Sequence, residues 1–172
     1  MKVRGYKGFS SGLKNKYGAK FEEGVIYSKN PDTLRFGEGG HGYHMTSKLA
    51  DTFRFFNPCL DNVYCEVVGS GKIIKQDNHL FNSDSMYAVE NFEIVRILSR
   101  EDVFEYVCNC EYEEFVRFLS LYPFNKGELL KLRDLVIDRD KCFNEVFEDA
   151  INVRQFGDVK TFKRDRSYLR RF

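Results

Sequence analysis

Apolar residues recur along this chain in two rhythms, and the rhythm changes near residue 99. In the first part they alternate or bunch in short runs, as in strands; afterwards they recur every three or four positions, as on one face of a helix. Val3 to Phe9 is aromatic and glycine-bounded, which predicts a strand. Ser10 to Lys20 is polar and reads as a loop, and Val25-Ile26-Tyr27 reads as a short strand before the turn Lys29-Asn30-Pro31-Asp32. Gly37 to Gly42 is a glycine-rich connection into a short strand, Gly42 to Met45. Thr46 or Ser47 can then cap a helix that carries Leu49, Ala50, Phe53 and Phe56 on one face and stops at Asn57-Pro58. Asn62 to Val68 alternates strictly and predicts a strand, with Gly69-Ser70-Gly71 turning the chain after it. Gln76 to Ser85 is a polar loop, and Tyr87 to Leu98, apolar on both sides, predicts a central strand.

Beyond Ser99 three short helices are expected. Ser99 followed by Asp102 forms one capping pair, and Asn125 followed by Glu128 forms another. Tyr112, Phe115, Val116, Leu119 and Tyr122 share one face ahead of Pro123. Leu129, Leu132, Leu135 and Val136 form the next face, and Asp140 opens a third with Phe143, Val146, Phe147, Ala150 and Ile151. The expected architecture is α+β: a small mixed or antiparallel sheet domain over residues 1–98, a bundle of short helices over 99–158, and a basic aromatic tail over 159–172.

Composition sharpens this picture. Seventeen Phe and ten Tyr among 172 residues, with no Trp, supply enough bulk for a packed core. The net charge of +1 excludes an overall polyanion or polycation, but charge is segregated locally. Residues 101–158 hold 14 acidic and 7 basic side chains; residues 159–172 hold 1 and 6. The basic set is Lys160, Lys163, Arg164, Arg166, Arg170 and Arg171, interleaved with Phe162, Tyr168, Leu169 and Phe172. Three readings fit it: docking on the chain's own acidic helices, a solvated end, or contact with nucleic acid or an acidic protein. For a nucleic-acid or partner contact, Lys163, Arg164, Arg166, Arg170 and Arg171 must share an exposed face. An odd cysteine count without a signal-like start reads as reduced thiols in a cytoplasmic protein, and no apolar run reaches the length of a membrane span.

Complete catalytic motifs are missing. The glycine-rich stretch Phe36 to Gly42 lacks the G-K-[ST] ending of a P-loop, and no G-x-S-x-G occurs. His41 and His44, taken with Cys59 and Cys65, match no standard zinc spacing, so no metal is expected.

Gly42-Tyr43-His44-Met45-Thr46-Ser47, followed by Ala50 and Phe55-Phe56, resembles the second conserved block of ADP-ribosyltransferases. The resemblance implies an NAD pocket in which Arg4 touches the cofactor and Tyr43, Thr46 and Ser47 brace the nicotinamide. Glu66 or Glu93 would be the catalytic carboxylate. The family's [QE]-x-E does not occur at the expected place, because Glu90-Asn91-Phe92-Glu93 is one residue too wide. Displacement by one residue along a strand moves a carboxylate to the other face. Residues 3–99 also resemble a poorly characterised group of phage and bacterial proteins, through Tyr6-Lys7-Gly8-Phe9, Gly42 to Phe56, Tyr64-Cys65-Glu66-Val67 and Ile94 to Ser99. That resemblance implies an origin in phage or mobile DNA without a known activity.

The incomplete catalytic set favours a non-enzymatic interaction module with a protein partner and no cofactor. An NAD-using transferase-like enzyme, or an inactive relative, and nucleic-acid binding through the helices and tail are the alternatives. The transferase reading requires Arg4, Tyr43, Ser47 and one glutamate to converge on a single cleft.

Overall fold

The computed structural model describes residues 1–36, 41–76 and 86–136, together with Glu145, Phe147 and Glu148. The fold is α+β, with five antiparallel strands first and the α-helices after them. The strands are β1 (Lys2–Ser10), β2 (Ile26–Ser28), β3 (Tyr43–Thr46), β4 (Asn62–Lys75) and β5 (Met86–Ile97). The helices are α1 (Arg100–Asn109), α2 (Tyr112–Leu121) and α3 (Lys126–Val136). The chain divides into two compact units, Met1–Val103 and Phe104–Phe172.

The sheet closes on itself. β1 pairs along its whole length with β4 and meets β3 at Tyr6 opposite Thr46. β5 pairs with β4 on one edge, and with β3 and then β2 in tandem on the other. Closure leaves few unpaired strand edges and creates an inside. Phe9, Met45, Cys65, Val67, Val89, Phe92 and Ile94 form the core, joined by Phe21. Alternation sets the inward residues, with a change of phase in β5 between Val89 and Phe92 opposite the irregularity in β4. As its two-sided apolar pattern predicts, β5 is central.

β4 corrects the expectation of a turn at Gly69-Ser70-Gly71. The strand runs straight through these residues, and the register slips by one between Ser70 and Ile73. Gly71 takes φ +78°, and the bulge N–H of Lys72 donates to the Glu90 carboxylate at 2.8 Å. Gly71 and Lys72 together oppose Glu90, a bulge that needs a left-handed glycine. Glycine here bends one long strand and does not end it.

The helix expected after Ser47 is a 3-10 helix at Leu49–Arg54, preceded by Lys48 rather than by a hydroxyl cap. The single Thr46 hydroxyl proton is shared between Lys48 O at 2.8 Å and, more weakly, Tyr6 O at 3.3 Å, at the point where the end of β3 meets β1. Leu49, Ala50 and Phe53 are buried as the pattern predicts, and Phe53 packs edge-on against Tyr64. Tyr64 also donates to the carbonyl of Phe56 at 2.8 Å.

Both expected capping pairs form reciprocally. Asp102 N–H donates to Ser99 Oγ at 3.1 Å while Ser99 N–H donates to Asp102 Oδ2 at 2.8 Å. Asn125 and Glu128 exchange the same two bonds at 2.8 and 2.9 Å. The helical unit buries Val107, Phe115, Phe118, Leu119, Tyr122, Leu129 and Leu132. The α2 face is rotated from the expected one: Phe118 and Glu114 are buried, and Tyr106 Oη donates to Glu114 Oε1 at 2.7 Å. Leu135, expected inside, is 55% exposed. The helix expected after Asp140 lies outside the described residues, apart from a buried Phe147 between exposed Glu145 and Glu148.

Candidate functional site

A cleft of about 680 Å³ opens in the first unit, lined by the loop after β1, by β3, and by the aromatic end of the 3-10 helix. Its floor is Lys7. Strand alternation places this side chain on the same face as Phe9, inside the closed sheet, where burial of an ammonium is unfavourable. The ammonium donates to the carbonyl of His44 and lies 5.8 Å from the ring centres of both Phe9 and Phe92. Burial, reinforced by the positive charge of Lys16, lowers its pKa to about 8. His44 stacks on Phe36 with ring centres 5.2 Å apart, and its Nε2 lies 3.4 Å from Arg35 O. Its pKa is lowered, first by burial and then by Lys7.

The walls are aromatic. Tyr43 stacks on Phe92 at 5.3 Å and meets Phe21 edge-on at 6.1 Å, so its ring is held from below while its outer side faces the cleft. Lys29 sits 5.7 Å above the Tyr43 ring. Across the cleft, Asn15 organises the loop: its side-chain oxygen accepts from the N–H groups of Tyr17 and Ala19 at 2.9 and 3.0 Å. That turn presents Tyr17, with Lys16 Nζ 4.8 Å from its ring centre. Phe55 and Phe56 complete the rim. Among the described residues the lining holds four lysines, Lys7, Lys16, Lys20 and Lys29, and no aspartate or glutamate.

Of the residues singled out in the sequence, Tyr43 and Thr46 line this cleft. Arg4, Ser47, Glu66 and Glu93 do not. Arg4 is exposed on β1 opposite Val68. Glu66 and Glu93 alternate with the core residues Cys65, Val67, Phe92 and Ile94, so both project from the outer face of the sheet. Glu66 is engaged by Arg96, whose Nη2 donates to Oε1 at 3.0 Å and whose Nη1 donates to Asp102 at 2.5 Å. That ion-pair chain ties β4 to the first turn of α1. Cys65 is buried, which raises its thiol pKa to about 12, whereas Cys59 is exposed. The tail residues Lys163, Arg164, Arg166, Arg170 and Arg171 lie outside the described residues. No helix among the described residues is long and apolar enough to cross a membrane.

Sequence reasoning missed Lys7, Lys16, Tyr17 and the loop that carries two of them. Lys7 did leave a signal: a lysine at an inward position of an otherwise apolar alternation, two residues before Phe9.

The low pKa of Lys7 has a measurable consequence. Between about pH 8 and 10.5 the unfolded chain holds this proton and the folded chain does not, so the Lys7 contribution to stability rises with pH across that window, while the raised Cys65 thiol acts the other way above about pH 9. The full shift corresponds to about 3 kcal/mol. The observed rise should be smaller, since the side chain is partly open to the cleft. In urea melts at pH 7, 8, 9 and 10, the stability of wild type relative to Lys7→Met should rise with pH, since the opposing Cys65 effect is common to both proteins and cancels in the difference.

The fold and cleft together define a small closed antiparallel β domain with a cationic, aromatic-lined cleft. Residues 3–106 match DUF7666, a domain of unknown function, and the chain belongs to that family. No curated protein and no solved structure matches the chain.

Proposed function

We propose that the first unit is a non-catalytic binding module whose cleft takes a ligand carrying both negative charge and an aromatic ring. The supporting observation is the lining itself, which holds lysines together with tyrosines and phenylalanines and, among the described residues, no carboxylate. The transferase chemistry implied by the resemblance calls for a carboxylate beside the ribose, and the described lining, which does hold the titrating groups Lys7 and His44, holds no carboxylate. Glu66 is instead occupied with Arg96 on the outer face.

NAD belongs to the proposed ligand class, and Tyr43 and Thr46, implicated by the transferase resemblance, share the cleft. On the present reading NAD binds there without being turned over. Glu66→Gln and Glu93→Gln should then leave NAD binding unchanged. A protein partner remains compatible with the module if it presents acidic and aromatic side chains together.

A thermal-shift titration tests the reading with NAD, a single-stranded oligonucleotide and a duplex in parallel. A ligand at 100 times its dissociation constant that binds only the native state stabilises by about 2.7 kcal/mol. A dose-dependent shift with NAD or an oligonucleotide, lost in Lys7→Met, supports the cleft. No shift with any of the three would refute this ligand class and return the chain to the protein-interaction reading.

A further inference from the structure

The cleft carries rings where a small ligand would leave them bare. Tyr17 is 81% exposed and Phe55 is 55% exposed, and both line the same opening. Exposed aromatic surface beside a recess is surface a ligand can cover. Tyr17 is not a loose side chain on a loose loop, because Asn15 holds the N–H groups on both sides of the turn. The backbone that presents the ring is therefore set before any ligand arrives, which lowers the entropy lost on binding. Cations line the same cleft: Lys16 lies against Tyr17, and Lys7, Lys20 and Lys29 are in the lining.

Resting on the cleft reading above, we infer that the ligand is a single strand of nucleic acid, its bases stacking on Tyr17 and Phe55 and its phosphates meeting the lysines of the cleft. A strand repeats flat rings and phosphates, and a cleft that holds both exposed rings and lysines complements that repeat. A mononucleotide brings one base to a site that offers two exposed rings. A duplex brings charge, but its bases are stacked on one another and present no free face. NAD brings two rings and two phosphates and is the sharpest competitor.

The experiment is fluorescence anisotropy on the full chain with labelled oligo(dT) and oligo(U), a labelled duplex, and unlabelled AMP and NAD as competitors. Oligo(dT) and oligo(U) distinguish DNA from RNA as the source of the strand. The strand should bind more tightly than the duplex and weaken with added salt. Tyr17→Ala and Phe55→Ala should each weaken strand binding about tenfold, the loss of one stacked base. Tyr17→Phe, which keeps the ring, should restore binding. Both alanine variants change exposed side chains, so their melting temperatures should match wild type and separate lost stacking from lost fold.

Strand binding that is unaffected by both alanine substitutions would overturn the inference, because basic residues elsewhere on the chain would then be holding the strand. AMP or NAD competing as well as unlabelled strand would overturn the strand while leaving the cleft reading intact. Failure of every probe to bind would remove both.

Discussion

Replacing Phe92 with alanine is expected to destabilise the chain by about 3–5 kcal/mol, the range for emptying a buried phenylalanine site. Phe92 is 0% exposed and lies on β5, the one strand that pairs with β2, β3 and β4. Its ring is shared by Phe9 at 6.4 Å, Phe21 at 5.9 Å and Tyr43 at 5.3 Å. These partners come from three separate segments, so no single side chain can swing into the space. Domains of this size are held by about 5–15 kcal/mol in total, so the variant should lose a large part of its denaturation midpoint. The effect reaches the cleft as well: Tyr43 loses the ring it stacks on, and Lys7 loses one of its two cation–π partners. Urea unfolding measures the first effect, and ligand titration below the new melting temperature measures the second. A stability change below about 1 kcal/mol would show that the aromatic cluster is not the core of this unit.

Gly5→Ala is the second large effect, by the opposite mechanism. A Cβ on Gly5 would stand 2.2 Å from the backbone oxygen of Thr46 and 2.7 Å from the end of the Met45 side chain. The methionine can move. The carbonyl cannot, because it belongs to the only register point at which β1 meets β3, and β3 is held to β5 by four residue pairs. One methyl group therefore prises open the closure of the sheet, at a cost of about 3 kcal/mol or more. The same closure holds Lys7 and Tyr43 in one cleft, so ligand binding should fall with stability. Circular dichroism melts of Gly5→Ala beside Gly12→Ala test the steric account. Gly12 has no atom within 4 Å of its would-be Cβ and carries only the strain of φ +74°. Equal losses in the two variants would refute it.

Strands β1, β2, β3 and β5 were legible from alternation and turn chemistry, and both reciprocal capping pairs from residue type at a spacing of three. β5 is paired on both edges as expected, although the second apolar side that suggested it, Val95 and Ile97, is 46% and 41% exposed on the outer face. The bulge in β4 was not legible: Gly69-Ser70-Gly71 reads locally as a turn. Only the partner strand, with Glu90 accepting from Lys72 N–H, supplies the bonds that carry the strand onward. Half of the site was visible for a related reason. Tyr43 and Thr46 belong to one short aromatic–hydroxyl segment that stands out along the chain. Lys16 and Tyr17 sit in a polar loop with nothing local to mark them.

The sequence by itself determined the α+β order, the inward residues of most strands and the two capped helix starts at Ser99 and Asn125. These depend on side-chain periodicity and on hydrogen bonds reaching no more than a few residues. The tertiary structure decided the closure of the sheet and the burial of Lys7 beneath aromatic rings. It also separated Glu66 and Glu93 from the cleft that gathers the lysines. Those outcomes depend on register between strands far apart in the chain, and a shift of one residue in that register exchanges the inside of the sheet for its outside.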